Sequence, residues 1–164
     1  MTIGQSAEGP MMRIASLVLL ITALALAACS QAPLAAQTVK DGDSMPKLAI
    51  TVGDKTFVAT LLDDATARAF TALLPMSVTM EELNGNEKFY GLPSNLPAQA
   101  SIPPSIRAGE LMLYGSTTLM LLYESFSTPY SYTKIGQVDD AAGLKRALGS
   151  ESATVAFDVQ GQKR

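Results

Sequence analysis

The sequence predicts a mainly β protein: a small closed eight-stranded barrel with two short helices. Three observations carry this expectation. Apolar residues alternate at period two along most of the chain after Lys47. Turn signals separate these segments at short intervals, with Asn84-Gly85 the strongest. Only two stretches combine a capping aspartate, a helical spacing and a stop. A meander of this many strands must bury or pair its outer strands, and closure with helices over the ends does so economically.

Each element has its own reason. Leu48, Ile50 and Val52 alternate with Ala49 and Thr51, and Gly53-Asp54-Lys55 turns the chain into a second arm, Thr56 to Leu61. Asp63 or Asp64 can cap a helix from Ala65 to Leu74, because a carboxylate accepts the orphan N–H groups of a first turn. Ala67, Phe70, Leu73 and Leu74 share one face of it, and Pro75 stops it. Met76, Val78 and Met80 form a half-buried strand, and Glu87 to Gly91 returns across Asn84-Gly85. Residues 92–109 hold Pro93, Pro97, Pro103 and Pro104 and read as a long loop, a length that points to function or mobility. Glu110 to Tyr114 and Thr118 to Tyr123 make a second hairpin of almost continuous apolar arms. Tyr132 to Val138 is another strand. Asp139-Asp140 is expected to cap a helix from Ala141 to Leu148 that ends at Gly149. Val155, Phe157 and Val159 belong to the last strand. Met76, Met80, Met112 and Met120 are expected as core filler.

The N-terminal region reads as an address. Arg13 precedes an uncharged apolar stretch from Ile14 to Ala28, shorter than the roughly 20 residues of a spanning helix and suited to a signal-peptide core. It ends in Leu26-Ala27-Ala28-Cys29, which looks like a bacterial lipobox. Residues 1–28 are therefore expected as a lipoprotein signal peptide, cleaved between Ala28 and Cys29, with Cys29 lipidated. Met1 to Pro10 carries Glu8 and lacks a basic character, so residues 1–10 read as a mis-called start ahead of Met11-Met12-Arg13. Residues 29–46 are then the lipidated cysteine and a flexible tether, able to reach about 55 Å when extended. Residues 47–160 are the barrel domain, and residues 161–164 a frayed tail. This places the domain in the bacterial cell envelope, outside the cytoplasm, with the lipid membrane as partner through Cys29.

Composition excludes much chemistry. The chain of 164 residues has 12 Lys and Arg against 15 Asp and Glu, a net charge of −3, so no nucleic-acid partner is expected. It has no His, no Trp and one Cys. Ser-His-Asp triads, His-bound metals and intrachain disulfides are absent by count. No metal, cofactor or catalytic residue is expected. The candidate carboxylates are Glu81-Glu82, Glu87, Asp63-Asp64 and Asp139-Asp140. The Asp pairs read as caps, and Glu81 and Glu82 point to opposite faces of a strand.

Several stretches together resemble the bacterial cyclophilin-like fold family, whose function is largely uncharacterised. They are Ile50-Thr51-Val52-Gly53-Asp54-Lys55-Thr56-Phe57, then Asp64 to Phe70 leading to Leu73-Leu74-Pro75. Glu87-Lys88 with Leu92-Pro93 follows, and Ala108-Gly109-Glu110-Leu111 running into Tyr114. Last come Ser127-Thr128, Tyr130-Ser131-Tyr132 and Ile135 to Asp139. The resemblance spans roughly residues 47–159 and implies an eight-stranded barrel with two helices. Cyclophilin prolyl isomerases surround an Arg with a Phe-rich pocket, a Gln, a Trp and a His. This chain has neither His nor Trp, and Arg107 stands in the Pro-rich loop, so the fold does not carry the activity over.

The leading expectation is a non-catalytic module that binds a small ligand or short peptide. Tyr90, Arg107, Tyr123, Phe126, Tyr130 and Tyr132 are the candidate ligand-binding residues, with Arg107 supplying a fixed positive charge. A weak prolyl isomerase or other enzyme is the alternative, and a purely structural lipoprotein the third. If Cys29 is the lipidated residue, Cys29→Ala leaves the precursor unprocessed or moves it to the soluble fraction. Membrane fractionation and mature size unchanged in that variant would refute the anchor.

Overall fold

The computed structural model describes residues 45–161. The signal peptide, Cys29 and most of the tether lie outside the described residues, as do residues 162–164 of the tail.

The described residues form eight strands and two helices. They are β1 (Leu48–Val52), β2 (Lys55–Leu61), α1 (Ala65–Thr71), β3 (Met76–Leu83), β4 (Glu87–Gly91), β5 (Glu110–Tyr114), β6 (Thr118–Leu122), β7 (Tyr132–Val138), α2 (Leu144–Leu148) and β8 (Ala153–Val159). The strands close into a barrel in the order β1-β2-β7-β5-β6-β4-β3-β8, and every neighbouring pair is antiparallel. β8 completes the ring between β1 and β3: Phe157 lies opposite Ile50 on one side and Met76 on the other.

Period-two alternation sends Leu48, Ile50, Leu111, Leu113, Leu119, Leu121, Val155 and Phe157 into a core with essentially no solvent exposure. Phe70 enters from α1 and meets Phe157 edge-on, ring centres 5.9 Å apart. α1 shares a surface cleft with Met45 and Pro46 at the start of β1, whereas α2 borders Gly53 at its far end, so the helices cover opposite mouths. Leu92 and Leu96 of the long loop join the same core.

The helix ends differ from expectation. Asp64 is the N-cap of α1, its Oδ1 accepting from Ala67 N–H at 2.8 Å, while Asp63 pairs with Arg68. α1 ends at Thr71 and not Leu74: the N–H groups of Leu73 and Leu74 turn back to Phe70 and Thr71 in a tight turn, and Pro75 disfavours helical backbone at the residue before it. α2 begins at Leu144, not Ala141, because its N-cap is Gly143 in a left-handed conformation, φ 83°. Asp139 and Asp140 do not cap it. Asp139 binds Lys47 and Thr60 across the barrel wall, and Asp140 accepts from Ala142 N–H in the preceding turn. β3 runs on to Leu83, whereas β6 stops at Leu122, one residue before Tyr123. Met80 lies in the interior, but Met112 and Met120 belong to a separate cluster outside the barrel wall.

β2 pairs with β7 over only a short stretch, Ala59 to Leu61. Gly136 sits there with room for no side chain: a Cβ would stand 2.7 Å from the Thr60 carbonyl oxygen. Gly136→Ala forces backbone apart at this seam and is expected to cost about 1–3 kcal/mol, the range for overpacking. Urea unfolding checks this; a variant as stable as the parent would show that the seam yields freely.

Candidate functional site

The outer surface of the β4-β6-β5-β7 wall is not left to solvent. Met112, Met120, Leu122 and Tyr132 point away from the interior, yet all are buried, together with Ile106 and beside Phe89 and Phe126. Two loops cover them, residues 92–109 and 123–131. The first loop carries no strand pattern in its sequence, yet it makes two isolated bridges. Ile106 exchanges backbone hydrogen bonds with Phe126 (2.8 and 3.2 Å), and Ser101 does so with Tyr132 (2.9 and 3.0 Å). Thr66 Oγ–H also donates to the Pro97 carbonyl at 2.7 Å, tying the loop to α1.

Two clefts flank Tyr132 on this face. One, of about 470 Å³, runs beneath Pro103 and Pro104 and includes Arg107, Glu110 and Lys134. Glu110 is buried there, accepting from Lys134 Nζ at 2.8 Å and from Arg107 backbone N–H at 3.1 Å. The Arg107 side chain is 71% exposed, its Nε 3.9 Å from Glu110 Oε1. The other cleft, of about 350 Å³, is lined by Glu87, Phe89, Tyr114, Met120, Tyr130 and Tyr132 among others. Burial, with the Glu87 charge nearby, pushes the Tyr132 phenol above its ordinary range.

The six candidate residues divide accordingly. Arg107 and Tyr132 share the first cleft, and Tyr130 and Tyr132 share the second. Phe126 packs against the outer cluster between the loops. Tyr90 is not on this face. It pairs with Leu119 on β6 and packs against the interior core. Tyr123 is also elsewhere, buried with the interior core at the α2 end of the barrel.

Tyr123 belongs to an assembly that sequence reasoning missed. Glu82 and Lys88 lie directly opposite across the β3–β4 hairpin. Lys88 is fully buried, 2.5 Å from Glu82 Oε2, and also donates to the carbonyls of Gly149 (3.1 Å) and Glu151. Tyr123 O–H donates to both Glu82 oxygens, at 2.8 and 2.9 Å, and Gly85 N–H adds a further bond at 2.8 Å. Burial alone would raise the Glu82 carboxyl, but the Lys88, Tyr123 and Gly85 hydrogen bonds and the Lys88 charge outweigh it and hold it below the ordinary range. Burial and the same carboxylate push the Tyr123 phenol up. An open cleft of about 900 Å³ adjoins this cluster, with Lys145 and Arg146 beside it. The cluster's donors and acceptors satisfy one another, which suits a clamp between β4 and the segment entering β8 better than a ligand site. The signal for it was present: in any register, alternation turns one of Glu87 and Lys88 inward.

A closed antiparallel eight-stranded barrel with a helix over each mouth defines a cyclophilin-type β domain. Residues 50–159 match the family described as the Cyclophilin-like family, and the chain belongs to that family. Two solved structures share the fold at 14% identity. McbB, solved in complex with tryptophan, superposes with a TM-score of 0.53 over 71% of this chain, which spans 46% of McbB. The hypothetical protein AF2241 from Archaeoglobus fulgidus does so with a TM-score of 0.52 over 73% of this chain and 98% of its own. No curated protein matches the sequence. Among the described residues no group of His, Cys, Asp and Glu could hold a metal ion.

The Glu82 cluster gives a pH dependence with a definite sign. Its lowered folded-state pKa means that its stabilisation is complete above the ordinary carboxylate range and is lost as pH falls through the folded value. The stability gap between the parent and Glu82→Gln should therefore stay constant from neutral pH down to that range, then shrink on further acidification. Removing Lys88 instead leaves Glu82 without its cation and takes that donor from two carbonyls, so Lys88→Met should cost about 3–5 kcal/mol at neutral pH. Chemical denaturation across pH checks both, and a gap that widened on acidification would reverse the assignment.

Proposed function

We propose that this chain is an envelope lipoprotein, anchored through Cys29, whose cyclophilin-like barrel serves as a non-catalytic binding module for a small ligand or short peptide. The carrying observation is the outer wall of the barrel. A barrel folds on its interior, yet this one has a second apolar layer outside, held by two loops and opened by clefts on either side of Tyr132. Clefts with aromatic walls and a few placed charges are the usual form of small-ligand sites. Arg107 suits a carboxylate or a peptide carbonyl, since its fork of donors stays largely unengaged at the cleft edge. No helix among the described residues is long and apolar enough to cross a membrane. The attachment proposed is the Cys29 lipid.

The test is a thermal-shift screen of the full-length protein with metabolites and Pro-containing peptides. A ligand at 100 times its dissociation constant adds about 2.7 kcal/mol. Tyr130 is 59% exposed, so Tyr130→Ala should cost under about 1 kcal/mol, well short of the roughly 3–5 kcal/mol of a buried aromatic. Arg107→Ala should leave the unliganded melting temperature unchanged while abolishing the response to anionic or peptide ligands. A large stability loss in Tyr130→Ala, with the ligand response intact in Arg107→Ala, would remove this face as the binding site.

A further inference from the structure

The outer wall carries two carboxylates in matching positions and treats them differently. Glu87 on β4 and Glu110 on β5 both lie opposite Leu122 of β6, one on each side. Each is 4% exposed. Glu110 is answered by Lys134 and by the Arg107 backbone. Glu87 is not. The Asn84 side chain hydrogen-bonds its carboxyl, but Oε2 is buried without any partner, and no cation among the described residues pairs with it. Burial pushes this carboxyl above its ordinary range, against the Asn84 bond and with help from the Glu82 charge. A buried carboxylate without a counter-charge is costly. A buried polar group left unsatisfied in a native structure calls for an explanation, and a bound ion is one.

The surroundings specify that ligand. Glu87 lines the smaller cleft with Phe89, Met120 and Tyr132, while Tyr114 and Tyr130 stand exposed beside them. The Tyr114 ring centre is 6.2 Å from that of Tyr130, nearly perpendicular, and 5.7 Å from that of Tyr132. Ring faces carry negative potential and attract cations, above all poorly hydrated ones. An anion would meet only repulsion from Glu87. A cleft of about 350 Å³ accepts a small molecule and not a folded segment.

We propose that the cleft lined by Phe89, Tyr114, Tyr130 and Tyr132, with Glu87 in its wall, binds a small organic cation, an alkylated or quaternary ammonium ion whose positive charge, not a hydrogen bond, offsets the carboxylate. This rests on the reading of the outer wall as a binding face and names the ligand class for one of its two clefts.

Proton NMR titration of the full-length protein with choline, and separately with its neutral tert-butyl isostere, tests the proposal. The choline methyl signals should move upfield as they enter the ring faces, with saturation transfer from the protein. The isostere should bind at least about tenfold more weakly. Glu87→Gln should weaken choline by a similar factor without lowering the melting temperature, because it removes an unanswered buried charge. Tyr130→Ala should weaken choline, and Tyr90→Phe, on the interior face, should not. Equal binding of choline and the isostere would overturn the cation site while leaving the wall a binding face. Choline binding unaffected by Glu87→Gln would also overturn it, as would no choline binding at all. In that last case a library response abolished by Arg107→Ala would show that the broader reading survives.

Discussion

Closure of the sheet by β8 is the constraint on which this structure depends. Until β8 pairs with both β1 and β3, the sheet has two open edges and its inner face has no fixed centre to pack against. Once it does, the pleat decides everything else. Each strand residue faces either an interior filled by side chains or an outer wall whose polarity is unconstrained by the barrel itself. Phe157 shows the coupling directly, because it packs edge-on with Phe70 of α1 from a strand held on both sides. Gly136 marks the other tight seam, where two backbones approach too closely for a side chain.

The outer wall is where this chain departs from a minimal barrel. Met112, Met120 and Leu122 make it apolar, and that apolar surface needs a cover. Residues 92–109 and 123–131 supply it through single-residue bridges instead of full strands. A cover of that kind seals imperfectly, and the gaps on either side of Tyr132 are the two clefts. Their electrostatics differ because Lys134 reaches Glu110, while no cation among the described residues reaches Glu87. The same wall thus presents a guanidinium beside one cleft and an uncompensated carboxyl in the other.

Much of this was legible in the sequence because period two is a direct print of the pleat. The strands of the barrel follow from it, and Asn84-Gly85 folds as its residue types demand, with φ of 58° and 75°. What failed was local. Asp139-Asp140 before an apolar helix looks like a cap, but a glycine between them and the helix, Gly143, set the start by its backbone angle. The candidate ligand residues are close in sequence, and alternation splits them. Tyr90 turned to the interior, Tyr130 and Tyr132 to the outer wall. Burial of Glu87 and Lys88 together was not readable, since it needs both faces of β4 covered, and the cover comes from loops without periodicity. The residues forward of Met45 carry the strongest address signal and lie outside the described structure.

Lys88 has a chemical consequence of its own. An amine with no solvent access, fastened to Glu82 and to the carbonyls before β8, is out of reach of an electrophile while the barrel is shut. Every other described lysine has some exposure. Acylating reagents in dilute solution would therefore label those residues at the pace of surface chemistry and Lys88 only through the fraction of time the barrel stands open. The chain thus carries an internal clock for its own breathing, read by mass spectrometry at one residue. Where reclosing outpaces labelling, its rate relative to the exposed lysines measures the free energy of parting the α2 end of the barrel.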